Sequence, residues 1–381
     1  TSGDAITSGG DNVAIGVSSA GALTTGGGNV CVGYAAMNNA AVGESVNVAI
    51  GKYAMTSCDE GTQGTIDYNI AIGYNALAGG DLVTSTAQLQ KCIAIGANAL
   101  DATGTTLNSG NTAHVGTIAI GHDALTSCTT GAGNIAIGYG VMAANTTGFN
   151  NIAIGYGAMD DTSNDTGAQD NVFIGKDSGG GTWAGVGCDK NIGIGTNTLD
   201  AAMNGALNNT AVGHEALSGL IAGTSNTAIG YQAGYYVSGG IQNTLIGEYA
   251  GWKLGDTSSG SSHSSYNVAI GEYALSGGDN TVANNTAYNN IAIGYGSCGG
   301  YTKGSDGTAV TAYNNVVIGH QAAEDMTTGS TNVILGPTAG RNLTTGSGNQ
   351  LIGENTLTTS TLGINCVAIG SGALYTANEN D

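Results

Sequence analysis

Asn12-Val13-Ala14-Ile15-Gly16 opens a unit that returns nineteen times along the chain. Tight copies run from Asn47 to Gly51, Asn69 to Gly73, Asn134 to Gly138, Asn151 to Gly155 and Asn267 to Gly271. A repeat of this kind decides the architecture before any local reading does. The motif Gly serves as a ruler. Its spacing never drops below 17 residues, equals 17 eight times, and reaches 25 in the widest coils. The extra residues sit between the tail of one motif and the Asn of the next. A short fixed unit with insertions at one place predicts an all-β fold: a parallel β-solenoid of about 19 coils with a 17-residue minimal repeat.

The columns of the repeat assign faces. The residue before Gly is Ile, Val or Leu in every copy, as at Ile15, Ile50, Ile72, Ile137, Ile154 and Ile270. Two residues earlier stands another Val or Ile in most copies, with Thr210, Thr227, Thr244 and Gln350 as exceptions. Alternation along a strand puts these two positions on one face, and the expectation is that they line the coil. The residue between them points the other way. It is usually Ala, as at Ala14, Ala49, Ala71, Ala94, Ala136, Ala153 and Ala269. A strand apolar on both faces is covered on both, so the Ala column is expected to pack against other copies of the chain.

Asn opens sixteen of the nineteen motifs, with Cys92, Thr117 and Cys366 as the substitutes. Stacked Asn predicts a ladder of amides from coil to coil. The motif Gly predicts a corner with positive φ or tight clearance. After Gly comes Tyr74-Asn75-Ala76-Leu77 or a relative of it, expected as a second, shorter strand or a corner.

The spacings carry a longer period. They run 22, 23, 25, 17, 17 from Gly51, then 20, 20, 18, 17, 17 from Gly155, then 24, 23, 25, 17, 17 from Gly247. Three wide coils and two narrow ones form a five-coil super-repeat. His122, His214 and His320 each follow the motif Gly of the fourth coil in a block. The pattern continues without a break, which predicts one continuous solenoid over residues 1–381, cut mid-coil at both ends. The start at Thr1-Ser2-Gly3-Asp4 is expected of a processed chain or fragment.

Composition narrows the function classes. The net charge is −20, with only seven basic residues. Such a surface repels nucleic acid and anionic lipid. No apolar stretch approaches the length of a membrane span. The seven Cys are scattered without a CxxC spacing, which speaks against a zinc ribbon or a thioredoxin motif and for small buried side chains.

The Asn-Val-Ala-Ile-Gly run, followed by Tyr-x-Ala-Leu and Thr-Thr-Gly, resembles the head repeats of trimeric autotransporter adhesins. Asn226-Thr227-Ala228-Ile229-Gly230-Tyr231-Gln232-Ala233 is similar to the repeats of phage tail-fibre proteins. The resemblance covers nearly the whole chain. It implies a left-handed β-roll, three chains around a common axis, and display outside a cell or virion. The repeat here is longer than the adhesin one.

Few residues suggest chemistry. Asp160, Asp161, Asp165 and Asp170 form an acidic stretch in a wide coil, where hard cations such as calcium find oxygen ligands, although the spacing fits no EF-hand loop. His122 and His214 each precede a carboxylate, Asp123 and Glu215, but neighbours in a strand are expected on opposite faces. Wide coils carry Trp183, Trp252, Tyr266, Tyr288 and Tyr301, aromatic bodies with polar handles suited to sugar rings. No nucleophile elbow or catalytic triad is suggested. The expectation is therefore a non-enzymatic extracellular fibre, virion-borne, cell-surface or secreted, whose loops contact a glycan or receptor. The alternatives are a filament subunit stacking end to end and, ranked last, an ice-binding solenoid.

Overall fold

The computed structural model describes residues 2–59, 65–79, 88–102, 114–162, 164–165, 167–185, 187–255, 264–277, 286–299 and 310–375. They fall into two compact units, Thr1–Lys190 and Asn191–Asp381. Each unit is a parallel β-solenoid. The first carries nine motif strands, from Val13–Ile15 to Val172–Ile174, and the second ten, from Ile192–Ile194 to Val367–Ile369. Tyr301 lies outside the described residues.

Every motif strand is three residues long and pairs in parallel with the same three columns of the next coil. Val48, Ala49 and Ile50 stand opposite Ile70, Ala71 and Ile72, and these stand opposite Ile93, Ala94 and Ile95. In the second unit Thr210, Ala211 and Val212 stand opposite Thr227, Ala228 and Ile229. Like therefore stacks on like, and each column is continuous.

The faces are the reverse of the expectation. Ala49, Ala71, Ala94, Ala136, Ala153 and Ala269 are fully buried within their own chain, and Ala14, in an outer coil, is half-buried. The Ala column lines the coil and is not an inter-chain contact. The Val and Ile columns point out. Ile50, Ile72, Ile174, Ile229 and Ile318 are all exposed.

The physical reason is room. In most coils the fourth residue after the motif Gly also points inward and is large: Leu77, Leu100, Leu125, Met142, Met159, Leu217 and Leu275 are all fully buried. The thin coil cannot hold a β-branched pair from the strand as well. In three coils where the strand centre is itself large the inward partner is Gly, while Leu351 and Leu357 are both large and both buried. Phe173 faces Gly179, Leu245 faces Gly251, and Ile334 faces Gly340. Close packing of this kind leaves neither void nor overlap, and each buried Leu or Met contributes about 1.5–3 kcal/mol.

The segment after Gly is a turn in every coil, not a second strand. Its backbone alternates in sign. Asn75 (φ 53°) and Leu77 (φ 52°) are left-handed, as are Asn98 and Leu100 and then Asp123 and Leu125. This alternation closes the coil in four residues and swings the fourth side chain into the core. The motif Gly meets both conditions expected of it. Gly51 has φ 136°, and a Cβ there would lie 2.3 Å from the carbonyl oxygen of Gly73 in the next coil.

Asn side chains stitch the remaining corner. Asn69 donates from Nδ2 to Asn47 Oδ1 (3.1 Å) and to the Leu89 carbonyl (2.8 Å), and its Oδ1 accepts from the Cys92 backbone N–H (3.0 Å). The same pattern runs from Asn209 to Asn349 in the second unit, with Asn226, Asn243, Asn267, Asn290, Asn315 and Asn332 between. In the first unit Cys92 and Thr117 interrupt it. Cys92 there donates from Sγ to the His114 carbonyl.

Wide coils add pairing of their own. Thr65–Asp67, Gln88–Gln90 and His114–Val115 form a three-stranded parallel sheet in the first block. All seven thiols are free and only Cys366 is not buried.

Candidate functional site

The outward face of the motif strands is a chemically uniform surface in each unit. Two columns of Val, Ile, Leu and Thr, with Gln350 the exception, run side by side, and successive residues within a column are one coil apart. With coils about 4.8 Å apart and a three-residue strand about 10 Å long, nine coils present roughly 430 Å² in projection and ten roughly 480 Å². That lies within the roughly 300–600 Å² of the largest apolar patch on an ordinary monomer, a patch that is often functional. Columns of β-branched residues on a pleated sheet are flat and rigid, since χ1 is fixed at each one.

Beside this face, around the corner made by the motif Gly, runs a ladder of aromatic rings. In the second unit it is unbroken over six coils: His214, Tyr231, Tyr249, Tyr273, Tyr295 and His320, with centroids 4.9–6.2 Å apart. The first unit has two shorter runs, Tyr34–Tyr53–Tyr74 and His122–Tyr139–Tyr156. The ladder shifts register to stay continuous. Where Lys52, Glu248 or Glu272 takes the first position after Gly, a Tyr takes the second. Lys52 then lies over the rings of Tyr34 and Tyr53. Beside Tyr249 the array widens to Trp252 (5.5 Å) and on to Tyr236 (5.8 Å), with Lys253 Nζ 4.6 Å above the Trp252 ring. Restricted solvent around the half-buried Tyr249, and then its hydrogen bond with Tyr231, push its phenol up to about 12.

The His pairs differ from the expectation. His122 Nδ1 lies 2.7 Å from Asp123 Oδ2, and His214 Nδ1 lies 3.6 Å from Glu215 Oε2. Consecutive side chains meet because the segment is a turn with left-handed Asp123 and Glu215, not a strand. Sequence reasoning by strand alternation missed both pairs.

The acidic stretch does not gather. Asp160 sits beside Asp177, and burial, then the Asp177 and Asp161 charges, raise its carboxyl above the usual range. Asp161 accepts from Thr182 Oγ1 at 2.6 Å. Asp170 lies at a different corner, where it accepts from Asn150 Nδ2. Asp165 lies in the short strand Asn164–Asp165. Among the described residues no group of three or more His, Cys, Asp or Glu is placed to hold a metal ion.

The aromatic loop residues also separate. Trp183 is fully buried against Phe173, with centroids 5.7 Å apart, so it presents no ring to a ligand. Its burial follows from the wide coil folding over the core at Phe173. Trp252 is half-buried in the array beside Tyr249. Tyr266 is exposed, and Tyr288 is half-buried and bridges Ser265 to Tyr313 across successive coils. Among the described residues no helix is long and apolar enough to cross a membrane.

Comparison with known proteins yields no matching family model, no similar curated protein and no similar solved structure.

Proposed function

We propose that this chain is a non-enzymatic structural fibre protein displayed outside the cell or virion, assembled from copies packed side by side through the outward Val and Ile columns. The observation that carries this reading is the flat apolar face itself. Water disfavours a surface of that size and uniformity, and another copy of the same face offers the same pitch. Association of like faces at a closed symmetry is the ordinary solution for a soluble homo-oligomer. Three copies is the number implied by the resemblance to adhesin heads. The Asn ladder and the Gly corners give each coil stack a rigid backbone, which suits a spacer or display rod. The low content of basic residues fits a protein that stays soluble without binding nucleic acid.

The test is a pair of outward substitutions. Ile72→Glu with Ile270→Glu places a charge on the face in each unit and should shift the sedimenting species to a single chain, with far-UV circular dichroism unchanged. An assembly that survives both charges contradicts the reading.

A further inference from the structure

We propose that the six-ring ladder of the second unit, His214–Tyr231–Tyr249–Tyr273–Tyr295–His320, binds a neutral, extended, β-1,4-linked polysaccharide laid along the coil stack. This deepens the fibre reading by giving the rod an adhesive surface, but it uses a different face from the one proposed to join copies.

Four observations carry it. The first is continuity. Six consecutive coils each contribute a ring, and the Tyr moves from the first position after Gly to the second at Glu248 and Glu272, so that no coil is skipped. The core does not require this. Tyr231 is 42% exposed and Tyr295 39%.

The second is orientation. Tyr231 lies near-parallel to His214 (17°) and Tyr295 to His320 (17°), whereas Tyr249 and Tyr273, parallel to each other within 9°, are turned 85° and 86° from Tyr231 and Tyr295. Both sets cannot lie face to face along one stack. The ladder therefore carries rings in two orientations, and the parts of Tyr231 and Tyr295 left open to solvent are where the C–H face of a sugar can lie.

The third is spacing. Each ring belongs to its own coil, and a pyranose in an extended β-1,4-linked chain advances about as far as one coil of the solenoid does. Successive sugars would therefore meet successive rings in register over the whole ladder.

The fourth is polarity. Glu248 and Glu272 stand exposed next to the turned pair, and Glu215 accepts from Gln232 Nε2 close by. Carboxylates and amides beside ring faces receive and give hydrogen bonds to sugar hydroxyls. The same carboxylates, in a chain of net charge −20, repel a sulfated or nucleic polyanion.

The first unit supplies an internal control, because its two ladders stop at three rings, with Ala97 and Asn98 in the gap between them.

The experiment is co-sedimentation of the full chain with insoluble cellulose and with chitin, beside heparin–agarose. The chain should be retained by cellulose or chitin at physiological salt and not by heparin. Tyr249→Ala with Tyr273→Ala should lower retention by at least about tenfold, and Tyr34→Ala with Tyr74→Ala by less than about twofold. Tyr249→Phe with Tyr273→Phe, which keeps the rings, should retain most of the binding. A readout that needs no variant is the Trp and Tyr fluorescence of the unmodified chain, which cellohexaose or chitohexaose should change. Absence of retention on both polysaccharides together with unchanged fluorescence overturns the proposal. So does retention by heparin alone, or retention indifferent to the alanine pair. The native mass of the same samples separates the two readings. An oligomer that binds neither polysaccharide removes the ladder proposal and leaves the fibre, and a monomer that binds does the opposite.

Discussion

A Cβ added to Gly179 would lie 2.9 Å from Cδ1 of Phe173, so the strand centre and the fourth residue after the motif Gly share one small volume inside the coil. Phe173→Ala should cost about 3–5 kcal/mol, because it empties that volume. Gly179→Leu alone should also destabilise by overpacking. Together they recreate the Ala-with-Leu pairing of Ala71 and Leu77, where Leu77 already occupies a left-handed turn position. The double variant should recover at least about 1–2 kcal/mol relative to the sum of the single changes. Denaturant unfolding of the four proteins checks this. Simple additivity would mean that the two positions do not compete.

The Asn ladder makes a sharper demand. Asn69→Ala strands the Cys92 N–H and the Leu89 carbonyl inside the coil and should cost about 2–4 kcal/mol. Asn12→Ala, at a half-exposed outer coil, should cost less than half as much. Equal losses at the two sites would deny the burial argument.

How much of this was legible in the sequence depends on which residues are asked. The Gly ruler and the like-on-like columns gave the coils and their register, because a parallel stack requires a fixed period. The faces were misjudged, because Val, Ile and Ala are all apolar and the preference for β-branched interiors was applied to a coil too thin to hold them. The deciding signal was present. Phe173 with Gly179, Leu245 with Gly251 and Ile334 with Gly340 trade volume six residues apart, as two inward positions sharing one volume would, and Leu351 with Leu357 is the pair that does not. The turn after Gly was illegible, since Leu, Met and Tyr ordinarily avoid left-handed backbone. Both His–carboxylate pairs and the shape of the aromatic ladder depend on that turn.

Left-handed residues give a third prediction. Val46 has φ 58° with its side chain exposed, a costly conformation for a β-branched residue. Val46→Gly should raise stability by about 0.5–1 kcal/mol despite the lost entropy of glycine. An unchanged or lower melting temperature would contradict it.

Acid should weaken the first unit through His114. Burial lowers its pKa from 6.5 to about 4, and its Nε2 lies 3.1 Å from the Thr129 carbonyl. The unfolded chain takes up the proton near pH 6.5 and the folded one only near pH 4. Between these values the unfolded state binds more protons, so stability falls as the pH falls. The loss attributable to His114 reaches about 3 kcal/mol below pH 4. Asp101 and Asp160, whose carboxyls are raised by burial, act in the opposite sense. They are common to the unmodified chain and His114→Gln, so the difference between the two stability curves isolates the imidazole. A difference that stays flat from pH 7 to 4 would refute this.

The central claim is that the Val and Ile columns lie outside the coil and are covered by other copies. The native mass of the purified full chain, measured by light scattering at micromolar concentration, tests it most directly. One chain has a mass of 37.3 kDa. Three copies, 3 × 37.3, give a species of about 112 kDa, which the account predicts. A stable species of 37.3 kDa, with the Val and Ile face left in water, would contradict it.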